Sequence, residues 1–247
     1  MIEARALARA PTRRGSVLPA GSLNSKGLKS RDRLKQAARE VLNKRGFRSL
    51  RVQDITEQAG VAAGLFYRYF EDLRQIVAEV CADFFSELLK DPPPMTGVGD
   101  PYDWIYQNHR IVVTGFAKNP GILACLFGLA GDYEEFEAIW KRNAHVWNLQ
   151  VAAFVRQYAN LSKDAAERMG FVLGAMTEGV IFQSLIRRTD DLLELGSSPN
   201  DIAEFISVMW YRAIFLKDPA GVTLRGPGRR LISRDRGRAA NRNKGGA

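Results

Sequence analysis

Tyr67, Arg68 and Tyr69 put two phenolic hydroxyls and a guanidinium on one short stretch just beyond Gly60, with Arg51 and Gln53 ahead of the glycine. Hydroxyls, guanidinium and amide groups hydrogen-bond to phosphate oxygens, and Arg and Gln also match the edges of purines. Other chemistry-bearing residues are sparse. His109 and His145 are the two histidines, Cys81 and Cys125 form no CxxC pair, and Glu134, Glu135 and Glu137 read as a solvated acidic run. The chain has no Gly-rich phosphate loop, no GxSxG and no HExxH. No catalytic residue, metal ligand or cofactor is therefore expected. Two thiols far apart in sequence point to buried, reduced cysteines and a cytoplasmic protein.

Charge is distributed unevenly along the 247 residues, whose net charge is +9. Residues 1–30 carry six Lys/Arg against Glu3, and residues 217–247 carry nine against Asp218 and Asp235. Segment 31–75 holds ten basic and six acidic residues, leaving 76–216 at a net −7. A basic module joined to an acidic body fits a nucleic-acid reader attached to a different kind of domain. The basic ends read either as solubilising extensions or as segments in sliding contact with DNA. With 46% hydrophobic and 26% charged residues the chain can build a core, and no run of about 18 apolar residues that would span a membrane is expected.

The elements that must position Tyr67 and its neighbours follow from periodicity. Residues 1–29 mix Ala, Arg, Pro, Gly and Ser without period and read as disordered. From Ser30 the pattern is helical, with Leu34, Ala37, Ala38, Val41 and Leu42 on one face and a stop at Gly46. A second short helix turns Val52, Ile55 and Ala59 inward and ends at Gly60; a third begins at Val61 and buries Phe66 and Phe70. On that third helix Gly64, Tyr67 and Arg68 share the opposite face. A long helix follows from about Asp72 to Lys90 and stops at Asp91-Pro92-Pro93-Pro94. Further helices are expected at 100–117, 120–130, 133–159, 163–187 and 200–216, the last behind a capped start with Pro199 and Asn200 ahead of Asp201. The expected class is all-α: a three-helix helix-turn-helix DNA-binding domain at 30–75, then a helical-bundle domain at 76–216, between basic ends at 1–29 and 217–247.

Val61, Gly64, Tyr67, Tyr69 and Phe70 spell Val-x-x-Gly-x-x-Tyr-x-Tyr-Phe, and over about 30–76 the sequence resembles the TetR family of transcriptional repressors. The resemblance implies a homodimer on a near-palindromic operator, a small-molecule effector pocket in the second domain, and release of double-stranded DNA when an apolar effector binds. Carried onto this sequence, it implies phosphate contacts from Tyr67 and Tyr69, a base or phosphate contact from Gln53, and a base or backbone contact from Arg68. Ala63, Gly64 and Leu65 complete the expected reading surface. Ala62 and Leu65 stand where many members have hydroxyl residues, and Arg51 stands in place of a helix cap, which suits it to a phosphate. Leu73 replaces a common lysine, leaving Arg74 as its substitute.

In the acidic body, Trp104, His109, Phe116, Trp147 and Met176 are the candidate effector contacts, against the plainer reading that they fill a bundle core. Phe127, Trp140, Phe154, Phe171 and Phe182 are other large apolar residues of that core. Gly170, Gly174, Ala175 and Gly179 set small residues on successive turns opposite an apolar stripe of Ile206, Met209, Trp210 and Ala213. In the resembled family the last two helices form a four-helix dimer interface, making Gly174, Phe182, Met209 and Trp210 candidate interface residues. The competing function is an architectural or non-specific nucleic-acid-binding protein that acts through its Arg-rich ends.

Overall fold

The computed structural model describes residues 17, 18, 21, 23–95, 99–194 and 196–220. Most of the extension expected at 1–29 and of the tail expected at 217–247 lies outside the described residues. All regular structure among the described residues is helical. The helices are α1 (Ser25–Arg45), α2 (Val52–Ala59), α3 (Ala63–Tyr69), α4 (Leu73–Leu88), α5 (Pro101–Lys118), α6 (Pro120–Leu129), α7 (Glu134–Ala159), α8 (Lys163–Ile181), α9 (Asp190–Leu193) and α10 (Pro199–Phe215). A 3-10 turn spans Phe47–Ser49 and a π-helical segment, Phe182–Arg187, continues α8. Two compact units form: Met1–Asp91 with Lys118–Val146, and Pro92–Ala117 with Trp147–Ala247. The sequence divides at 75/76 by charge and motif, whereas compaction groups α4, α6 and the first half of α7 with the N-terminal helices.

In the first unit α1 is the hub. It starts at Ser25, not Ser30, because Asn24 caps it, its Oδ1 accepting from the Gly27 amide at 2.9 Å. Gly27 and the polar run around it hide that turn from a periodicity reading. The expected stripe Leu34, Ala37, Ala38, Val41 and Leu42 is buried, and the helix ends at Gly46, whose φ of 72° suits glycine. Arg31 pairs with Glu79, Lys35 with Asp83 and Arg39 with Glu87, at 2.5, 2.6 and 2.6 Å. Each rung advances four residues on both helices, so α1 and α4 run parallel in a fixed register. Partly exposed pairs add at most about 1 kcal/mol each; most of the cohesion comes from buried Ile76, Val77, Val80 and Phe84.

The first turn of α6 docks on the last turn of α1. Gly121 donates its amide hydrogen to Asn43 Oδ1 (2.9 Å), while Asn43 Nδ2 and Arg39 Nε both donate to Asn119 Oδ1, at 3.2 and 3.0 Å. A Cβ at position 121 would overlap the Leu42 carbonyl.

The second unit is built on α5, α8, α10 and the latter half of α7. Trp104 stacks on Phe154 (centroids 4.1 Å apart, planes at 10°) and donates its indole hydrogen to the Pro93 carbonyl at 3.1 Å. On α8, Gly170 and Gly174 admit the backbone and side chain of Asn148 from α7. As expected, α10 opens on a cap, here a capping box between Ser198 and Asp201.

By length and composition alone Lys163–Arg187 is long and apolar enough to cross a membrane, a property that core helices share; Glu178 interrupts its apolar residues.

Replacing Gly121 with Ala forces the α1–α6 contact apart. Urea unfolding should show a loss of about 3 kcal/mol, the upper end of ordinary overpacking costs. Unchanged stability in Gly121→Ala would show that the contact yields freely.

Candidate nucleic-acid interface

The turn between α2 and α3 closes on backbone geometry that glycine supplies. Gly60 sits in the left-handed region (φ 62°, ψ 44°), its amide reaching the carbonyls of Thr56 and Glu57. Val61 donates to the Thr56 carbonyl at 3.0 Å, and Arg33 of α1 reaches the Ala59 carbonyl at 2.5 Å. The C-terminal end of α2 is thus satisfied by α1 and by the turn itself. Ile55, Phe66 and Phe70 are fully buried, and the two Phe rings lie 5.7 Å apart. With its inner face fixed, α3 turns Ala63, Gly64, Tyr67 and Arg68 to solvent.

Tyr67 is 46% exposed, and its ring meets Phe66 edge-on at 5.3 Å. Gly64 has open space where a side chain would stand, which lets another surface approach the backbone. Leu65 is half-buried. Tyr69 departs from the expected face: it is buried, 4% exposed. It follows Phe66 by three residues, so helical spacing sends both inward. Gln53 is exposed but its amide donates to Glu57 at 2.8 Å, and Arg51 precedes α2 without capping it.

The basic residues sort into two sets. Arg31, Lys35, Arg39 and Arg45 pair with carboxylates within the unit, and Arg33 caps α2. Arg74, the residue expected to replace the missing lysine, pairs with Asp72 at 3.2 Å and lies over the Tyr133 ring at 5.3 Å. Lys44, Arg48, Arg51 and Arg68 are exposed and have no ion pair among the described residues. The sequence reading did not single out Arg48; its signal is its place in the short polar turn between α1 and α2.

Residues 34–80, the span of this module, match the family of bacterial regulatory proteins described as the tetR family. The HTH-type transcriptional regulator YdgC of Bacillus subtilis is 40% identical over 68 residues, 28% of this chain and 35% of that protein. The HTH-type transcriptional repressor KstR2 of Mycolicibacterium smegmatis is 31% identical over 116 residues, 47% of this chain and 46% of that protein. Residues 34–80 thus match a TetR-type DNA-binding module. The chain's matches span less than half the length of these two relatives. A transcriptional regulator from Rhodococcus sp. Rha1 shares the fold, with a TM-score of 0.61 and 16% identity over 74% of this chain and 97% of that one.

Beyond the matched module, the candidate effector residues all fall in the second unit. Trp104, His109 and Phe116 are buried, whereas Trp147 and Met176 are half-buried. His109 Nδ1 lies 2.9 Å from Ser207 Oγ and its ring meets Trp210 edge-on at 4.5 Å. Among the candidate interface residues, Phe182 and Met209 are half-buried. Gly174 and Trp210 do not sit at the surface: the glycine receives Asn148, and the Trp210 indole donates to Thr177 Oγ1 at 2.9 Å. Phe171, taken as core in the sequence, is 47% exposed beside Val172 at 69%. With Gly170, Leu173, Gly174 and Thr177 facing inward, helical spacing turns positions 171, 172 and 175 outward.

Burial lowers the His109 pKa to about 3 from the usual 6.5. The unfolded chain therefore binds this proton first, and stability present above pH 6.5 is lost as pH falls toward 3. Urea unfolding of the native chain should show an extra loss of about 1.5 kcal/mol between about pH 6.5 and 5 relative to His109→Gln. Parallel pH profiles for the two proteins would contradict the buried, neutral imidazole.

Proposed function

We propose that the chain is a ligand-responsive transcriptional repressor that binds a near-palindromic operator as a homodimer and leaves it when a small, largely apolar effector binds. The observation that carries this reading is the outer face of α3. Gly64, Tyr67 and Arg68 are presented together on a helix whose opposite side is fixed by Phe66 and Phe70. A helix so held can enter a major groove, with Tyr67 on a phosphate and Arg68 on a guanine edge or the backbone. Arg48 and Arg51, exposed beside α2, suit flanking phosphates. The repressor named among the relatives, KstR2, supports repression over activation. A protein that acts on operator DNA works in the bacterial cytoplasm.

The exposed Phe171, Val172 and Ala175 of α8, with half-buried Met209 and exposed Ala213 of α10, support a self-pairing surface. A dimer sets two α3 helices one DNA turn apart, about 34–36 Å. An effector that binds one spacing of the heads better than another shifts the population, and operator affinity falls by that differential affinity.

Selection from a random duplex pool should enrich an inverted repeat. Arg68→Ala should relax preference at one base position per half-site, by about 1–3 kcal/mol of discrimination, whereas Tyr67→Phe should weaken all sequences alike. Unchanged preference in Arg68→Ala would remove that residue from base reading. Val172→Glu should sediment as a monomer and bind the selected duplex at least about tenfold more weakly, since both half-sites no longer engage together; a dimeric Val172→Glu places the interface elsewhere.

A further inference from the structure

The interior of the second unit contains a hydrogen-bond chain whose direction can be read. Ser207 Oγ donates its one hydrogen to the Ala203 carbonyl, at 2.6 Å. The hydrogen between His109 Nδ1 and Ser207 Oγ, 2.9 Å apart, must then belong to the imidazole. A neutral ring protonated at Nδ1 carries a bare lone pair at Nε2. That atom is fully buried and has no hydrogen-bond partner among the described residues, in a side chain only 1% exposed. The nearby indole cannot serve it, because the Trp210 N–H is already donated to Thr177.

We infer that His109 Nε2 is the polar anchor of the effector site and accepts a hydrogen bond from the effector, which is a neutral, mainly apolar alcohol or phenol. This rests on the reading of the second unit as effector-binding. The chemistry selects against neighbouring classes. A carboxylate or an ether oxygen would set lone pair against lone pair, and an ammonium would lose its hydration in an apolar interior. A hydroxyl supplies the missing donor and leaves the rest of the molecule to apolar contact. The anchor is also well placed for a response. His109 on α5 holds Ser207 and Trp210 of α10, and Trp210 holds Thr177 of α8. A molecule bound at Nε2 therefore acts on the two helices that carry the proposed self-pairing surface.

The chain has two histidines, so 15N-histidine labelling of the full-length protein gives two ring systems, assigned by the spectrum of His109→Phe. The expected result is a proton on Nδ1 of His109 in the free protein, and an Nε2 resonance that moves when 2-naphthol is added. By tryptophan fluorescence, 2-naphthol should bind at least about tenfold more tightly than 2-methoxynaphthalene, and His109→Phe should abolish that preference. A proton on Nε2, equal binding of naphthol and ether, or an unchanged preference in His109→Phe would overturn the anchor while leaving an effector-binding unit in place. Failure of both compounds, and of a wider panel of alcohols and their ethers, to bind would overturn the effector reading as well.

Discussion

The Leu42 carbonyl lies so close to Gly121 that no side chain fits between the last turn of α1 and the first turn of α6. From that contact the arrangement of the first unit follows. Held at its C-terminal end by α6 and along its length by the parallel rungs to α4, α1 has little freedom to tilt. Arg33 on the same helix closes α2, and Arg31 lies 4.7 Å from the centroid of the Phe70 ring behind α3. The orientation of a seven-residue helix, too short to be stable alone, is thereby set by a helix three times as long.

The same contacts explain why a basic module does not present all its charge to a partner. Most cations of α1 are committed to carboxylates or to a helix end, where they fix register. Among the described residues of the module, the guanidiniums with neither a carboxylate nor a helix end as partner are those of Arg48, Arg51 and Arg68, on the short segments around α2 and α3. Net charge fits a nucleic-acid reader; the pairing shows which arginines have no carboxylate among the described residues.

Much of this was legible in the sequence because it depends on local chemistry. Gly46 and Gly60 stop helices through their backbone freedom, the Pro92–Pro94 run follows the end of α4, and Pro199 opens α10. What escaped depends on which neighbour a helix meets. The start of α1 hangs on a side-chain cap at Asn24, and Tyr69 is inward because it shares a side with Phe66. On α8, small residues signalled close approach but not to what: Gly170 and Gly174 face α7, and the large residues Phe171 and Val172 are left outside. The pairing of Trp210 with Thr177 likewise joins positions far apart in the chain.

Both units use buried contacts to leave a few groups uncommitted: Tyr67 and Arg68 on one, the Nε2 of His109 in the other. The central claim, that the outer face of α3 meets DNA, is tested most directly by photo-cross-linking. A benzophenone side chain placed at position 67 should cross-link to a bound duplex, and the same group at position 172 on α8 should not. Cross-links from 172 with none from 67, while the duplex remains bound, would contradict the account.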